Sequence, residues 1–457
     1  MRREVETIPT GWEVRRLKFA ATCNDETLLE TTDPDFEMAY VDISSVDLVN
    51  GITAVEVQTF EKAPSRARRI VRDGDTLIST VRTYLKAIAP VEAPPENMIV
   101  STGFAVVRPL EFIDSGFLGY ALQNTAFIDA VVANSTGVSY PAINPTTLIC
   151  LPVCYPKDKK EQQQIAAFLD WKTGQIDALI AKKKDLMGKL KEKRLAVITQ
   201  AVTKGLNPAA PLRDSGISWL GYVPVHWEVK RLRFLLRDRF SNGLFKKAEF
   251  WGDGVRIVNV TDIYVHNDLV DQTQLGRLEC NSDELHAYSA NHGDFFVVRS
   301  SLKLEGVGKS AVLLHPAEPT VFECHIVRGR PDLNNVHPRF LNLFLNSPSA
   351  RAYFNIHANV VTMATIDQEG IKNLFVSLPS YAEQEEIANY LDRQLERTDA
   401  MSAATKAATE TLTEYRTALI TAATTGKIDV RQFDIPSPSV QTTSTPSPSI
   451  DSIACTA

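Results

Sequence analysis

The feature that most constrains this sequence is an internal repeat, because two copies of one unit are expected to fold into two similar structures. The matched motifs keep the same order, and the offset between the copies drifts only between 215 and 223 residues. Small loop insertions account for this drift. The matched stretches are 8–19 with 223–234, 40–43 with 257–260, Gly74-Asp75 with Gly293-Asp294, Phe117-Leu118 with Phe340-Leu341, Ile143-Asn144 with Ile366-Asp367, and 161–170 with 383–392.

Each copy consists of a mixed segment followed by a long helix. Short apolar runs at 76–79 and 295–298, bounded by turn residues, predict strands in the mixed segments. From Ile165 and from Ile387, apolar residues recur at alternating spacings of four and three, as in a coiled-coil seam. The glycines at Gly205 and Gly426 predict where the two helices end.

The charges of the two helical segments favour pairing between them. Residues 157–204 contain 12 Lys or Arg and 6 Asp or Glu, whereas residues 383–427 contain 5 and 8. A basic helix and an acidic helix with matching seams prefer each other to a copy of themselves. The alternative, in which each helix packs only on its own mixed segment, stays open at this stage.

Composition sets the broad class. A chain of 457 residues with 44% hydrophobic and 23% charged residues is typical of a soluble protein with two or three domains. No apolar run is long enough to cross a membrane, the first residues lack a signal-peptide core, and six scattered cysteines indicate a cytoplasmic protein with reduced thiols. The net charge of −6 does not by itself indicate a nucleic-acid binder.

Four motifs recur in both copies: Pro-x-x-Trp-Glu-Val-x-x-Leu, an Ile-Asn-Pro segment, Leu-Pro, and Glu-Gln-x-x-Ile-Ala-x-x-Leu-Asp. They lie at 9–17, 143–145, 151–152 and 161–170, and again at 224–232, 366–367, 378–379 and 383–392. Over residues 8–430 this pattern resembles the specificity subunits of type I restriction–modification systems. One departure is Gln368, which stands where the first copy has Pro145.

The resemblance implies an α+β fold with a pseudo-twofold internal repeat: two similar α/β target-recognition domains and two long helices paired as an antiparallel coiled coil. The expected divisions are target-recognition domain one (1–158), the first helix (159–205), domain two (206–380), the second helix (381–428) and a disordered Ser/Pro/Thr-rich tail (429–457).

The resemblance also implies a function. Each domain reads one half of a bipartite, asymmetric sequence in double-stranded DNA, and the chain docks two methyltransferase subunits, which nuclease–translocase subunits join. S-adenosylmethionine, ATP and magnesium are expected on those partners, and no cofactor, metal or catalytic residue is expected on this chain. The helices fix the gap between the two halves.

Candidate DNA contacts are guanidinium, amide, hydroxyl and aromatic side chains near predicted turns, because such groups reach phosphates and base edges. In the first copy they are Arg66, Arg68, Arg69, Arg72, Arg82, Tyr84, Lys86, Ser135, Thr136, Ser139 and Tyr140. In the second copy they are Asn242, Lys246, Lys247, Arg299, Ser300, Lys303, Asn359 and Thr362. For any one of them, an ordinary solvated side chain is the alternative. Trp12 and Trp227 are expected to be buried anchors rather than base-stacking residues.

Three other functions stay open. An orphan specificity subunit would support methylation without cleavage. A single-chain methyltransferase is disfavoured because the Asp33-Pro34-Asp35-Phe36 stretch has Asp for the second proline of the adenine-methyltransferase motif and no accompanying cofactor loop. The Gly306–Ser310 stretch lacks the first glycine of a phosphate-binding loop, so it does not indicate an enzyme either. A coiled-coil adaptor that never meets DNA would tolerate loss of the arginines at 66–72.

Overall fold

The computed structural model describes residues 8–265 and 268–433. These residues divide into two compact units. Unit one comprises residues 8–183 and 407–433, and unit two comprises the described residues between 184 and 406. Each unit therefore contains one globular head, the first half of the long helix that follows this head, and the second half of the other long helix.

Head one, residues 8–158, contains two four-stranded sheets and two short antiparallel ladders. Its strands are β1 (Trp12–Arg16), β2 (Ala21–Cys23), β3 (Glu37–Val41), β4 (Val46–Asp47), β5 (Gly51–Ile52), β6 (Glu56–Thr59), β7 (Ala67–Ile70), β8 (Thr76–Ser79), β9 (Ile88–Pro90), β10 (Met98–Ser101), β11 (Phe104–Pro109) and β12 (Pro152–Pro156). Its helices are α1 (Ser115–Gln123), α2 (Thr125–Ala133) and α3 (Pro145–Leu148). The sheet orders are β6-β3-β10-β7 and β2-β11-β8-β9, and the two sheets share an apolar core that includes Leu77, Val100 and Phe104.

The first long helix, α4 (Lys159–Lys204), leads into head two. The strands that follow are β13 (Leu212–Asp214), β14 (Tyr222–Pro224), β15 (Glu228–Arg231), β16 (Ser241–Asn242), β17 (Trp251–Val258), β18 (Gly276–Leu278), β19 (Phe295–Val298), β20 (Ser300–Ser301), β21 (Ser310–Val312), β22 (Thr320–Phe322), β23 (Ile326–Gly329), β24 (Asn359–Val360), β25 (Ala364–Thr365) and β26 (Phe375–Leu378). The helices are α5 (Val260–Val265), α6 (Ser282–Tyr288), α7 (Pro338–Leu345), α8 (Pro348–His357), α9 (Gln368–Lys372) and the second long helix, α10 (Tyr381–Thr424). Gly205 and Gly426 follow the long helices with φ of +77° and +70°, the left-handed geometry expected of helix-ending glycines.

The repeat is visible in the sheets. In head one, β1 from the Trp-Glu-Val motif pairs antiparallel with β12 from the Leu-Pro motif, and in head two β15 pairs with β26 in the same way. The sheet β2-β11-β8-β9 corresponds to β16-β23-β19-β21. The predicted α+β class and the internal repeat are therefore confirmed, because the repeated motifs form the same frame in both heads.

A repeated hydrogen bond explains why the repeated motifs contain Trp and Glu. The indole N–H of Trp12 donates to Glu161 at 3.1 Å, and that of Trp227 donates to Glu383 at 3.0 Å. Both indoles lie in apolar cores, at 9% and 1% exposure. The expectation that these tryptophans are buried anchors is confirmed.

The Gly-Asp motif supplies a second repeated contact. Asp75 accepts two hydrogen bonds from the guanidinium of Arg108, both at 2.8 Å. Asp294 accepts two from Arg330, at 2.8 and 2.9 Å. Both carboxylates are almost fully buried, so these bidentate pairs belong to the internal frame and not to a ligand site.

Within each unit the two long helices contact one another. In unit one, Arg416 of α10 donates to Asp177 of α4 at 3.0 Å, and Ile176 and Ile180 share a core with Ile420. In unit two, Arg194 of α4 donates to Asp399 of α10 at 2.7 Å. The predicted pairing of the helices is confirmed.

The alternative packing holds as well, since the N-terminal part of each helix contributes to the core of the head that precedes it. Ile165 and Leu169 pack in the core of head one, and Ile387 and Leu391 pack in the core of head two. Each helix thus packs on its own head first and pairs with the other helix further along.

The predicted tail begins at residue 429, but its first residues are packed. Val430 is buried, and the ring of Phe433 lies 4.8 Å from that of Phe168 and 5.1 Å from that of Trp171. Apolar side chains interrupt the polar tail here, and α4 offers them a surface. Residues 434–457 lie outside the described residues. None of the helices described is long and apolar enough to span a membrane.

Candidate nucleic-acid interface

The same backbone arrangement surrounds the candidate contacts in both heads. In head one, Thr80 follows β8, donates its N–H to the carbonyl of Gly103 at 2.8 Å and accepts the N–H of Ile143 at 2.9 Å. In head two, Arg299 follows β19 and makes the corresponding bonds with His325 and Ile366, both at 2.9 Å. We call these segments the loop frame: residues 80–86, 101–103 and 134–143 in head one, and 299–305, 323–325 and 359–366 in head two.

The hairpins of the loop frame also correspond. Thr136 pairs with Ala142 in head one, and Asn359 pairs with Thr365 in head two. The tips of both hairpins are open to solvent, since Val138 and Val361 are almost completely exposed. An exposed hairpin on a rigid, repeated backbone is suited to contacts with a ligand.

In head one the loop frame gathers seven of the eleven predicted contacts. The guanidinium of Arg82 lies 5.0 Å from the ring of Tyr140, and the hydroxyl of Ser135 lies 2.8 Å from that of Thr83. Arg82 and Lys86 have φ of +50° and +54°, a left-handed conformation that costs non-glycine residues energy and is concentrated at functional loops. The seven residues are Arg82, Tyr84, Lys86, Ser135, Thr136, Ser139 and Tyr140.

The four arginines predicted as a cluster do not lie together in the structure. The chain is extended along β7, so successive side chains there point to opposite faces of the sheet. Arg66 is exposed beside the loop frame, where its carbonyl accepts the N–H of Thr102 at 2.7 Å. Arg68 lies 4.4 Å from the ring of Phe60, and Arg69 is half-buried.

Arg72 lies two residues beyond the end of β7 and has a partner within head one. Its guanidinium donates to Glu26 at 2.8 Å, and this bond, with a second from Arg108, lowers the pKa of the Glu26 carboxyl. Arg72 therefore has an ion-pair partner within the head, and its contact with DNA stays a prediction.

In head two, two amides from outside the loop frame, those of Asn242 and Gln368, meet the guanidinium of Arg299. The side-chain oxygen of Asn242 accepts from Arg299 at 3.2 Å and from Gln368 at 3.0 Å. The remaining predicted residues of the loop frame lie on the strands or exposed turns beside this trio: Ser300, Lys303, Asn359 and Thr362.

Lys246 lies apart from this group. Its ammonium donates to Glu284 at 2.7 Å and to the carbonyl of Glu279 at 2.8 Å, and it lowers the pKa of the Glu284 carboxyl. Lys247 is exposed beside it. The sequence placed both lysines with Asn242, but only Asn242 reaches Arg299.

Two residues of this surface were missed at the sequence level. Gln368 occupies the position of Pro145 and donates to Asn242, so the departure from the repeated proline adds an amide to the site. The absence of the proline does not disturb the turn. Asp367 caps α9 by accepting the N–H of Gly370, and Asn144 likewise caps α3 by accepting the N–H of Thr146. His325 replaces Gly103 at the neighbouring turn and is exposed.

One group of possible metal ligands occurs among the residues that the structure describes. Side-chain atoms of Glu323, Cys324 and His325 lie within 4.8 Å of one another. Burial and the neighbouring Glu323 raise the pKa of the Cys324 thiol, which disfavours the thiolate that zinc prefers. The Glu323 carboxylate already accepts the N–H of His325 at 3.0 Å, so a hydrogen-bonded turn accounts for the proximity of these three side chains.

Sequence comparisons connect the chain with restriction enzymes. No protein-family model matches it. It is 27% identical over 299 residues to the type I restriction enzyme EcoKI specificity subunit of Escherichia coli K12, covering 65% of this chain and 62% of that one. The StySPI specificity subunit of Salmonella potsdam is 25% identical over 296 residues, with coverage of 65% and 61%. The chain thus spans about three fifths of the length of the curated relatives it matches.

Structural comparisons extend over nearly the whole chain. A chain from a structural study of complex assembly and conformational transition in the type I R-M system matches with a TM-score of 0.73 at 22% identity, covering 92% of this chain and all of that one. The HsdS subunit from Thermoanaerobacter tengcongensis matches with a TM-score of 0.52 at 22% identity, with coverage of 94% and 100%. The fold of this chain is the fold of those proteins.

Proposed function

We propose that this chain, a member of the family of type I restriction specificity subunits, is the subunit that reads the DNA sequence for a restriction–modification complex. Each head reads one half of a split target. In this proposal the chain catalyses no reaction and binds no cofactor; the methyltransferase subunits supply S-adenosylmethionine and the nuclease–translocase subunits supply ATP hydrolysis.

The observation that carries the proposal is one backbone frame presenting two different sets of side chains. The backbone of Thr80 in head one and that of Arg299 in head two make equivalent hydrogen bonds, whereas the exposed side chains on the loop frame differ between the heads. A repeated enzyme site would keep its reactive groups and vary its support. A pair of reading heads keeps its support and varies the groups that meet the bases.

The two sets favour different contacts. Head one presents a guanidinium stacked on an aromatic ring, Arg82 on Tyr140, with hydroxyls from Ser135 and Ser139 nearby. Head two presents Asn242, Arg299 and Gln368, whose amides and guanidinium match the acceptor and donor pattern of purines in the major groove. The proposed target is therefore asymmetric.

The charge of the chain fits a subunit that shares its DNA contacts with partners. With a net charge of −6, the isolated chain is expected to bind DNA weakly and with strong dependence on salt. Docked methyltransferase subunits would supply further phosphate contacts and raise the affinity. Equal affinity with and without methyltransferase would contradict this part of the proposal.

The function is tested by base-resolved mapping of adenine methylation in the host genome with and without this gene. We expect one motif with two short defined halves and a constant gap, present only when the gene is present. If no motif is lost on deletion, the chain does not direct methylation. Methylation without cleavage of unmodified DNA would instead assign the chain to an orphan modification system.

A further inference from the structure

Head one has a polar pocket beside α1. It has a volume of about 370 Å³, and all of its lining residues belong to unit one: they come from α1, from the hairpin β4–β5, from β9 and from the two long helices. Two glycines of α1, Gly116 and Gly119, form part of its wall. Polar side chains that line it include Asn50, Glu92, Gln123 and Asp170. A concave surface with a few converging polar groups is typical of a ligand site.

In head two an arginine side chain occupies the corresponding place. Arg339 of α7 is the repeat partner of Gly116, since each directly precedes the repeated Phe-Leu motif. Arg339 is buried, and its guanidinium donates to Asp392 at 2.8 Å. Asp392 is the repeat partner of Asp170. The side chain of Arg339 therefore fills, in head two, the space that lies between Gly116 and Asp170 in head one.

Asp170 has no such counter-charge. Its carboxylate accepts the hydroxyl of Tyr120 at 2.8 Å, and within the described part of the chain no Lys or Arg forms an ion pair with it. Burial raises the pKa of the Asp170 carboxyl. Head one thus keeps the carboxylate of the repeated motif but lacks the arginine that neutralises it in head two.

Gln123 is an independent sign of a ligand. It lines the pocket and is only 6% exposed, yet its side-chain amide has no hydrogen-bond partner among residues 8–265 and 268–433. Its repeat partner, Asn346, accepts the N–H of Ser310 at 3.1 Å and donates to the carbonyl of the same residue at 2.8 Å. A buried amide without a partner is unfavourable, and a polar group bound in the pocket would relieve this cost.

The pocket also contains one cation, Arg416 of α10, which is already paired with Asp177 at 3.0 Å. A second guanidinium fits beside it, as head two demonstrates. There Arg194, the repeat partner of Arg416, lies 3.7 Å from the carboxylate of Asp268, and Arg339 lies 3.5 Å from the carbonyl of the same residue. The repeated frame therefore accommodates two neighbouring guanidinium groups.

We propose that this pocket of head one binds a guanidinium group carried by a ligand from outside the chain. The guanidinium pairs with Asp170 as Arg339 pairs with Asp392. Gln123 and Glu92 offer acceptors for its other N–H groups, which suits a planar cation with five donors. The ligand is either a free small molecule or an arginine of a docked subunit. The site goes beyond DNA reading and does not depend on it.

The probe for the test is ethylguanidinium, titrated into the full chain and followed by ligand-observed nuclear magnetic resonance and calorimetry. We expect saturable binding of one probe per chain. Ethylammonium has the same charge and the same alkyl group but lacks the planar fork of donors, so it should bind at least about fivefold more weakly.

Two variants of the chain locate the binding. Asp170→Asn removes the counter-charge and should weaken binding of ethylguanidinium at least about tenfold. Its matched control is Asp129→Asn, because Asp129 is exposed on α2 of the same head and does not line the pocket. The control should bind the probe as the unmodified chain does.

The second variant, Gly116→Arg, gives head one the arginine of head two and should abolish binding of the probe. Gly188→Arg is its control, since Gly188 is exposed on α4 with open space around it. Circular dichroism checks that Gly116→Arg folds, and the test with Asp170→Asn does not depend on that variant.

The source of the guanidinium is identified by repeating the titration with the methyltransferase-bound chain. If bound methyltransferase excludes the probe, an arginine of that subunit occupies the site. If the probe binds as before, the ligand is a free small molecule. Both results support the proposal.

Four results would overturn the proposal. They are no saturable binding of ethylguanidinium, equal binding of ethylammonium, and binding that Asp170→Asn leaves unchanged. The fourth concerns Arg2 and Arg3, which lie outside the described residues. If the probe binds only after both are replaced by alanine, the chain supplies its own guanidinium.

Discussion

Each long helix begins beside a glutamine whose side chain is fully buried. Gln162 accepts the N–H of Asp114 at 2.7 Å and donates to the carbonyl of Pro156 at 2.8 Å. Gln384 accepts the N–H of His337 at 2.8 Å and donates to the carbonyl of Pro379 at 2.9 Å. One amide therefore joins the start of the long helix to the end of the sheet ladder and to the N-cap of a shorter helix, α1 in head one and α7 in head two.

The change Gln162→Ala should lower the free energy of unfolding of unit one by about 3 kcal/mol, because it leaves buried backbone donors and acceptors unpaired. Gln163→Ala is the control, since Gln163 is the next residue of α4 and is exposed. Urea denaturation followed by circular dichroism measures both. A loss no larger than that of the control would show that water replaces the amide.

In head one, Arg82 and Arg72 offer a matched pair of arginines. Arg82 stacks on Tyr140 in the loop frame, whereas Arg72 is paired with Glu26. Arg82→Ala should cost about 1–3 kcal/mol of DNA binding by the methyltransferase-bound chain, and Arg72→Ala should change that binding little. Electrophoretic mobility shifts on the mapped target measure both. Equal losses would mean that Arg72 contacts the DNA as much as Arg82 does.

In head two, Gln368→Pro tests the amide that replaces the repeated proline. Proline is tolerated at the first position of a helix, so α9 should still form. The amide bonded to Asn242 is lost, and the half of the motif read by head two should become less strict. Methylation mapping gives an internal control, because the other half should be unchanged. An unaltered motif would exclude Gln368 from base reading.

At the scale of elements, two equivalent ion pairs join the long helices, one in each unit. Asp177 and Asp399 differ by 222 residues, and so do Arg194 and Arg416, so the pairs Asp177–Arg416 and Asp399–Arg194 are equivalent under the repeat. In both pairs the arginine is the more buried partner. The pairs therefore fix the same register in each unit.

Asp177→Asn should lower the stability of unit one by about 2 kcal/mol, because Arg416 then lies largely buried without its counter-charge; the partial exposure of Asp177 keeps the loss below that of a fully buried pair. Asp185→Asn is the control, since its pair with Lys189 on the same helix is exposed and screened by solvent, and its loss should leave the stability almost unchanged. Thermal denaturation measures both. A double variant, Asp177→Arg with Arg416→Asp, should recover part of the loss.

Periodicity and the repeat were enough to predict the long helices, their glycine ends and their pairing, because these follow from local spacing and from charge. The ion pairs of Arg194 and Arg416 were also predictable from the repeat, because the paired aspartates and arginines recur at equal offsets along the two helices. The candidate site was only partly predictable. The arginines from 66 to 72 form one cluster in sequence, yet β7 separates them, since the direction of a strand depends on partners distant in the chain.

Loop contacts were the least predictable part. That Lys246 turns inward to Glu284 depends on α6, which lies some forty residues further along the chain. That Arg299 and Gln368 both reach Asn242 depends on the backbone bond between Arg299 and Ile366, which no local sequence pattern predicts. Which candidates contact DNA stays a prediction for each of them.

At the scale of the whole molecule, the repeat predicts that one head can stand in for the other. The frame contacts Trp12–Glu161 and Trp227–Glu383 are equivalent, so a second copy of residues 8–158 should fold in place of residues 223–380. The methylated motif of this chimera should have two halves of the same sequence, as mapping of adenine methylation would show. Two unlike halves would mean that the specificity lies outside the heads.

The division of the long helices between the units has a consequence for synthesis. Unit two is one run of chain, whereas unit one needs residues 407–433 to complete a seam that begins at residues 165–180. A ribosome delivers these two stretches more than 200 residues apart. Ile176 and Ile180 therefore lack their partners on α10 until the whole of unit two has been translated. This half of α4 is where chaperones have the longest time to bind the nascent chain.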